Sequence, residues 1–103
     1  MRKTALALLA STVLVAGCGG GKSATNASGA KVFASAGCGG CHTLEAAGSS
    51  GNVGPNLDDA KPDLALALNR VTNGSGAMPS FKGQLSDDQI DAVATYVSTV
   101  AGK

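Results

Sequence analysis

Two cysteines three positions apart, followed at once by the only histidine in the chain, make up Cys38-Gly39-Gly40-Cys41-His42. No other feature limits the possible folds so strongly. At this C-x-x-C-H spacing two thiols can add across the two vinyl groups on one edge of a haem. The imidazole that follows is then carried beneath the iron, where a neutral ring nitrogen can ligate it. A chain that does this must wrap its other residues around a flat group larger than any side chain.

Composition matters here because the chain is short of material for a core. Of its 103 residues 44% are apolar, yet it has two Phe, one Tyr and no Trp, so the apolar content is mostly Ala, Val and Leu. A domain of this size is short of buried area. A haem at its centre would supply a rigid apolar surface that the side chains lack.

The same cysteine pair has three other readings. A thiol redox pair belongs at a strand-to-helix junction, and no strand pattern is visible. A structural zinc site wants four ligands, and this region offers two Cys, one His and, at close spacing, only Glu45. The third is a plain disulfide. Haem attachment is the preferred reading.

The N-terminus points to export. Met1-Arg2-Lys3 is basic, and Thr4 to Val15 is an uncharged apolar run too short to span a bilayer, which fits a secretory signal. It ends in Leu14-Val15-Ala16-Gly17-Cys18, which resembles a bacterial lipobox. In that reading residues 1–17 are a signal removed by cleavage and Cys18 carries lipid. The three cysteines then divide between lipid and haem, with no odd thiol left in an oxidising compartment. Loss of residues 1–17 removes Arg2 and Lys3 and leaves six basic against seven acidic residues, a net charge of about −1. No basic patch for nucleic acid is present.

Residues 18–28 read as the lipidated cysteine and a flexible linker, and 29–103 as one folded domain. A first helix is expected over Gly29–Ser35, capped by Ser28 and ended by Gly37. Glu45 to Asp59 reads as a polar loop too broken for a strand or a helix. A second helix starts near Pro62, runs through Leu64, Leu68 and Val71, and stops before Gly74. The last helix has a capping box, Ser86-Asp87-Asp88-Gln89, with Leu85 and Ile90 placed for a hydrophobic staple. Ile90, Val93, Ala94 and Val97 share one face. The expected fold class is all-α.

His42 is the only candidate for a histidine ligand, so a second histidine from the same chain is excluded. Met78, the only methionine besides the initiator, lies in Gly74-Ser75-Gly76-Ala77-Met78-Pro79-Ser80-Phe81. It sits in a glycine-flanked loop fixed by proline rather than on a helix face where filler methionines sit. It is therefore the candidate sixth ligand. Thioether opposite imidazole raises the reduction potential and closes the iron to small ligands.

Taken together, Gly29, Phe33, Cys38 to His42, Gly54-Pro55-Asn56-Leu57, Asn73-Gly74, Met78-Pro79 and Tyr96 resemble a class I cytochrome c. The likeness is to the small soluble kind related to algal and cyanobacterial cytochromes that feed photosystem I, and it covers about Gly29 to Val100. It implies a small helical domain wrapped around one covalent haem c per chain, with its iron held by His42 and Met78. It also implies that the Pro55 carbonyl orients His42. Gly29 and Phe33 would meet Val93, Tyr96 and Val97 where the first and last helices cross, and Leu57, Leu68, Val71 and Phe81 would wall the haem.

The functional expectation is a monomeric single-electron carrier, not an enzyme, tethered by lipid to the extracytoplasmic face of a bacterial membrane. Redox partners would dock at the exposed haem edge. The rivals are a dedicated haem subunit of an oxidase or reductase, a haem sensor or peroxidase with an open sixth position, and a thiol oxidoreductase. Respiratory and photosynthetic pathways are equally open.

Overall fold

A computed structural model describes residues 22–103; the apolar run and Cys18 lie outside the described residues. Four helices carry most of the described chain: α1 (Lys22–Ser35), α2 (Leu57–Ala60), α3 (Leu64–Asn73) and α4 (Asp87–Val100). Between α1 and α2 the chain forms a 3-10 turn at Cys38–Gly40, strand β1 (Thr43–Leu44), a second 3-10 turn at Glu45–Ala47, and strand β2 (Ser49–Ser50). The strands pair antiparallel, Thr43 with Ser50 and Leu44 with Ser49. The all-α expectation holds but for this two-residue ladder; its second strand, and the start of α2, fall inside the Glu45–Asp59 stretch expected to be a loop too broken for a strand or a helix.

The first helix is longer than expected. It begins at Lys22, so Ser28 lies within the helix rather than capping it, and residues 22–28 belong to α1 instead of to a linker. Nothing between Lys22 and Ser28 stops a helix: the stretch has no proline, and Ala24 and Ala27 favour it. Gly29 looks like a helix start in the sequence but is kept for another reason. It is buried, and a Cβ there would run into the Ala92 carbonyl oxygen and the Tyr96 Cβ of α4. Glycine lets the two helices cross at backbone contact.

That crossing is the centre of the core. α1 packs on α4 and α3 packs on the same helix. Val32, Phe33, Leu44, Val93, Tyr96, Val97 and Ala101 form one buried cluster, with Leu44 and Val93 almost wholly out of water. The Phe33 and Tyr96 rings meet edge to face, with centroids 6.0 Å apart at 67°. Such a pair adds about 0.5–1.5 kcal/mol beyond its buried area. Tyr96 is thus a core residue, as the family resemblance implied.

The helix ends follow from their sequences. Ser86 Oγ accepts from the Gln89 N–H while Gln89 Oε1 accepts from the Ser86 N–H, so the expected capping box is formed. Ile90, Val93, Ala94 and Val97 are all buried, and Leu85 packs against the core. α3 is capped by Asp63, whose carboxylate accepts from the Leu66 N–H, and Pro62 lies just outside it. Asn56 Oδ1 caps α2 by accepting from Asp58 and Asp59 N–H.

Asp58 ties three parts of the chain together. Its two carboxylate oxygens accept from the Glu45 and Gly102 N–H groups, each at 2.8 Å. These bonds, that from Gly102 first and that from Glu45 next, hold the Asp58 carboxyl below its ordinary range.

Candidate haem-binding site

The segment after α1 is turned by Gly37, whose positive φ of 77° suits a residue without Cβ. A 3-10 turn over Cys38–Gly40 follows, and the Cys38 carbonyl accepts from both Cys41 and His42 N–H. Both thiols and the imidazole therefore leave one compact turn. Gly51 packs against the Cys41 backbone so closely that a Cβ would lie 2.7 Å from it.

His42 is held on a second side. Its Nδ1–H donates to the Pro55 carbonyl at 2.7 Å, which leaves Nε2 as the unprotonated nitrogen. Two neighbours of Pro55 support this contact. Asn56 is fixed as the cap of α2, and the Gly54 N–H donates to the Cys41 carbonyl at 2.7 Å. A Cβ on Gly54 would lie 2.7 Å from His42 Cε1, so the ring fits only because this residue is glycine. The orientation of His42 by Pro55, implied by the resemblance, is present in the geometry.

The methionine loop is also fixed from several sides. The Ser75 N–H donates to the Met78 carbonyl at 3.0 Å and the Met78 N–H to the Ser75 carbonyl at 2.9 Å, closing a tight turn around Gly76. The Ser80 hydroxyl donates to the Thr72 carbonyl and the Phe81 N–H to the Val71 carbonyl, which sew the loop to α3. Gly74 has φ of 73° and its absent Cβ would lie 2.5 Å from the Met78 carbonyl oxygen.

These pieces surround one cavity of about 430 Å³. Cys38, Cys41, His42, Pro55, Leu57 and Met78, the predicted site residues of the folded part, all line it. Phe33 of α1, Val93, Ala94 and Val97 of α4, and Val71 and Phe81 also face it. The volume lies in the range of cofactor pockets, and the walls are mostly apolar with a few convergent polar groups. Two thiols at one edge, an imidazole nitrogen and a thioether are the donor set for a covalent haem. The residues present fit that group.

One predicted wall residue is displaced. Leu68 does not line the cavity; α3 presents Leu66, Ala67, Arg70 and Val71 instead. The run Leu64-Ala65-Leu66-Ala67-Leu68 is apolar at every position, so its periodicity does not mark which face turns inward. Sequence reasoning also missed Val53, exposed at 70%, and Leu66, exposed at 44%, which sit at the cavity and remain open to water. Arg70 was missed as well, and it is the only lining residue with a fixed charge.

The rival readings of the cysteine pair lose support. Cys38 and Cys41 lie on a 3-10 turn that follows α1 rather than at a strand-to-helix junction, and burial pushes the Cys38 thiol up against a smaller lowering by its backbone hydrogen bond. Among the described residues no group of three or more His, Cys, Asp or Glu side chains comes together as a metal site.

Comparison with known proteins agrees. Residues 24–97 match the family described as "Cytochrome C oxidase, cbb3-type, subunit III". Cytochrome c6 of Leptolyngbya boryana is 43% identical over 83 residues, covering 75% of this chain and 94% of that protein. The Cbb3-type cytochrome c oxidase subunit FixP of Bradyrhizobium is 38% identical over 81 residues, 74% of this chain but 28% of its own length. Among solved structures, the c-type cytochrome SorU from Sinorhizobium meliloti superposes with a TM-score of 0.74 at 48% identity, covering 79% of this chain and 95% of that one. Cavity, donor set and relatives point the same way, and the chain belongs to the class I monohaem cytochromes c, with one covalently bound c-type haem and a role in electron transfer.

Proposed function

We propose that this chain is a lipid-anchored carrier of single electrons whose haem iron is held by His42 and Met78. The observation that carries the reading is the pairing of two fixed donors at one cavity. The His42 Nδ1–H bond to the Pro55 carbonyl leaves Nε2 available, and Met78, pinned by its turn with Ser75, lines the same space. Cys38 and Cys41 supply the thioether links. When bound, the haem supplies reversible one-electron chemistry at iron. The protein contributes ligands that keep their geometry: His42 is held between Gly54 and the Pro55 carbonyl, and the Met78 loop is sewn to α3 through Ser80 and Phe81. Rigid ligands lower the rearrangement that accompanies each change of oxidation state. Val53 and Leu66 leave an apolar, open side to the cavity through which partners would reach the haem edge.

The anchor rests on the sequence alone. Leu14-Val15-Ala16-Gly17-Cys18 would direct cleavage before Cys18 and its lipidation, placing a monomeric domain on the extracytoplasmic face of a bacterial membrane. No helix among the described residues is long and apolar enough to cross a membrane.

The test is an absorption spectrum, oxidised and reduced, of protein made with a haem-attachment system, followed by acid–acetone extraction. Haem retained by the protein, a low-spin spectrum and a methionine-to-iron charge-transfer band are the expected results. A high-spin or carbon monoxide-reactive spectrum would refute Met78 ligation and favour a sensor or peroxidase. A second reading, a dedicated subunit of one oxidase, draws support from the match to the oxidase subunit III family and from FixP. Stoichiometric co-purification with one membrane complex after detergent extraction would favour it over a mobile carrier.

A further inference from the structure

Neither the sequence pattern nor the haem cavity singles out Ser49. It lies on β2 opposite Leu44, is half-buried, and does not line the cavity. Its hydroxyl is nonetheless engaged on two sides. Oγ accepts from the Leu44 N–H at 3.1 Å, and it lies 2.9 Å from the His42 carbonyl oxygen and 3.4 Å from that of Leu44. A hydroxyl has one hydrogen to give, and the shorter contact takes it. Ser49 therefore donates to the His42 carbonyl while it accepts from the amide two residues further on.

A serine in a hairpin has a simpler explanation. Leu44 is fully buried, and Oγ could do no more than satisfy its N–H. That accounts for the accepted bond but not for the donated one. The donated bond matters because of what else holds His42. Its N–H donates to the Cys38 carbonyl at 3.0 Å, and its Nδ1–H donates to the Pro55 carbonyl at 2.7 Å. With its carbonyl held by Ser49, every polar group of His42 but Nε2 is committed, each to a different part of the chain. Ser49 also leans on the attachment turn itself, since a Cβ on Gly39 would lie 2.8 Å from the Ser49 Cβ. The hairpin thus backs the Cys38-to-His42 turn from outside the cavity.

We propose that the Ser49 hydroxyl positions His42 for the iron by fixing its main chain, a role separate from that of Pro55, which orients the ring. The proposal rests on the reading of His42 as a haem ligand. Pro55 limits how the ring turns. How far the ring can shift relative to the two cysteines is set by the main chain, and there the Cys38 and Ser49 bonds hold His42 on both sides. An imidazole whose Nδ1–H is firmly bonded is the more basic ligand, and it favours the more positive, oxidised iron. Ser49 is a positioning residue: it stands outside the cavity and acts through His42.

The experiment compares haem-loaded wild type with Ser49→Ala, Ser49→Val, Ser49→Thr and Thr43→Val, by paramagnetic NMR of the His42 ring and by redox titration. Thr43→Val is the control. Thr43 Oγ1 donates to the Gly51 carbonyl at 2.9 Å, so its loss weakens the same hairpin without freeing a polar group of His42. Ser49→Ala should displace the His42 ring signals, speed exchange of its Nδ1–H by roughly 2- to 10-fold and raise the potential. Ser49→Val should do the same on a side chain that favours strands, so the comparison survives if Ser49→Ala does not fold. Ser49→Thr keeps the hydroxyl and Thr43→Val keeps the His42 contact, so both should stay near the wild type. Wild-type ring signals and exchange in Ser49→Ala or Ser49→Val would overturn the proposal while leaving the haem reading intact. Equal displacement in Thr43→Val would overturn it too, because a weakened hairpin would then suffice, as would equal displacement in Ser49→Thr, because the hydroxyl would then not be the cause. Failure of the wild type itself to retain haem would overturn the site reading, and this inference with it.

Discussion

Gly29→Ala tests the helix crossing on which the core is built, and two effects oppose each other there. Alanine is the better helix former by about 1 kcal/mol, so propensity alone predicts a stabilised α1. Against this, the new Cβ would overlap the Ala92 carbonyl oxygen and the Tyr96 Cβ. Both atoms are fixed to the α4 backbone, so no change of rotamer relieves the clash. Carbon atoms settle at roughly 3.5–4.0 Å, and the helices would have to part to restore that spacing. Overpacking of this kind costs about 1–3 kcal/mol, and an overlap with backbone belongs at the upper end. Parting the helices also loosens the edge-to-face contact of Phe33 with Tyr96. The clash wins by about 2 kcal/mol, equivalent to a fall in melting temperature of roughly 8–16 °C for a domain of this size. Thermal and denaturant unfolding of the haem-loaded protein would measure it, with Ala34→Gly on the exposed side of α1 giving the propensity effect separately. A Gly29→Ala protein as stable as its parent would refute the argument, because it would mean that the crossing has slack and propensity decides.

The other predictions concern the haem ligands and pH. Gly54→Ala would place a Cβ 2.7 Å from His42 Cε1 and push the ring off the Pro55 carbonyl; altered imidazole signals in paramagnetic NMR and a shifted potential are expected, with an unchanged spectrum counting against the contact. Gly74→Ala strains a backbone at φ of 73° and crowds the Met78 carbonyl, so the methionine charge-transfer band should weaken while covalent haem is kept. For Asp58 the folded-state carboxyl titrates below its unfolded value, so its contribution is fully present above the unfolded value near 4 and is lost as pH falls through the folded one. Asp58→Asn should flatten the acid side of the stability-against-pH curve without altering the spectrum, and an unchanged acid limb would show the clamp to be idle.

How much could be read from the sequence depended on how local each signal was. The capping box at Ser86 and Gln89 and the buried face from Ile90 to Val97 were legible because both lie within a few residues on one helix. The Cys38-to-His42 turn was legible because chemistry fixes its spacing. Pro55 and Met78 were placed only through the family resemblance or by elimination, since the contact of Pro55 with His42 spans 13 residues and leaves no periodic trace. The start of α1 was misjudged because Gly29 serves a contact with a helix some 60 residues away, and glycine in a sequence does not announce whether it breaks a helix or admits a neighbour. On α3 Val71 was placed correctly but Leu68 was not: with leucine at 64, 66 and 68, the pattern did not show which of them turns inward. Arg70 and Val53 were invisible because single residues on a cavity wall have no pattern.

The short supply of aromatic residues finds its explanation in how the core and the cavity share their walls. Val93 and Val97 belong to the buried cluster at the α1–α4 crossing and also line the haem cavity, as does Phe33. Leu57 and Val71 pack against that cluster from the cavity side. The same side chains thus serve both the helix crossing and the wall of the haem cavity, so part of the core's inner face is shared with the haem site. A domain of this size buries a modest share of its surface, and a large apolar cofactor would add burial that its few aromatic side chains do not supply. This gives physical content to the covalent link. In the proposed site, thioether bonds from Cys38 and Cys41 would prevent the loss of that packing surface, and the same packing would hold His42 and the Met78 loop in a fixed geometry for electron transfer.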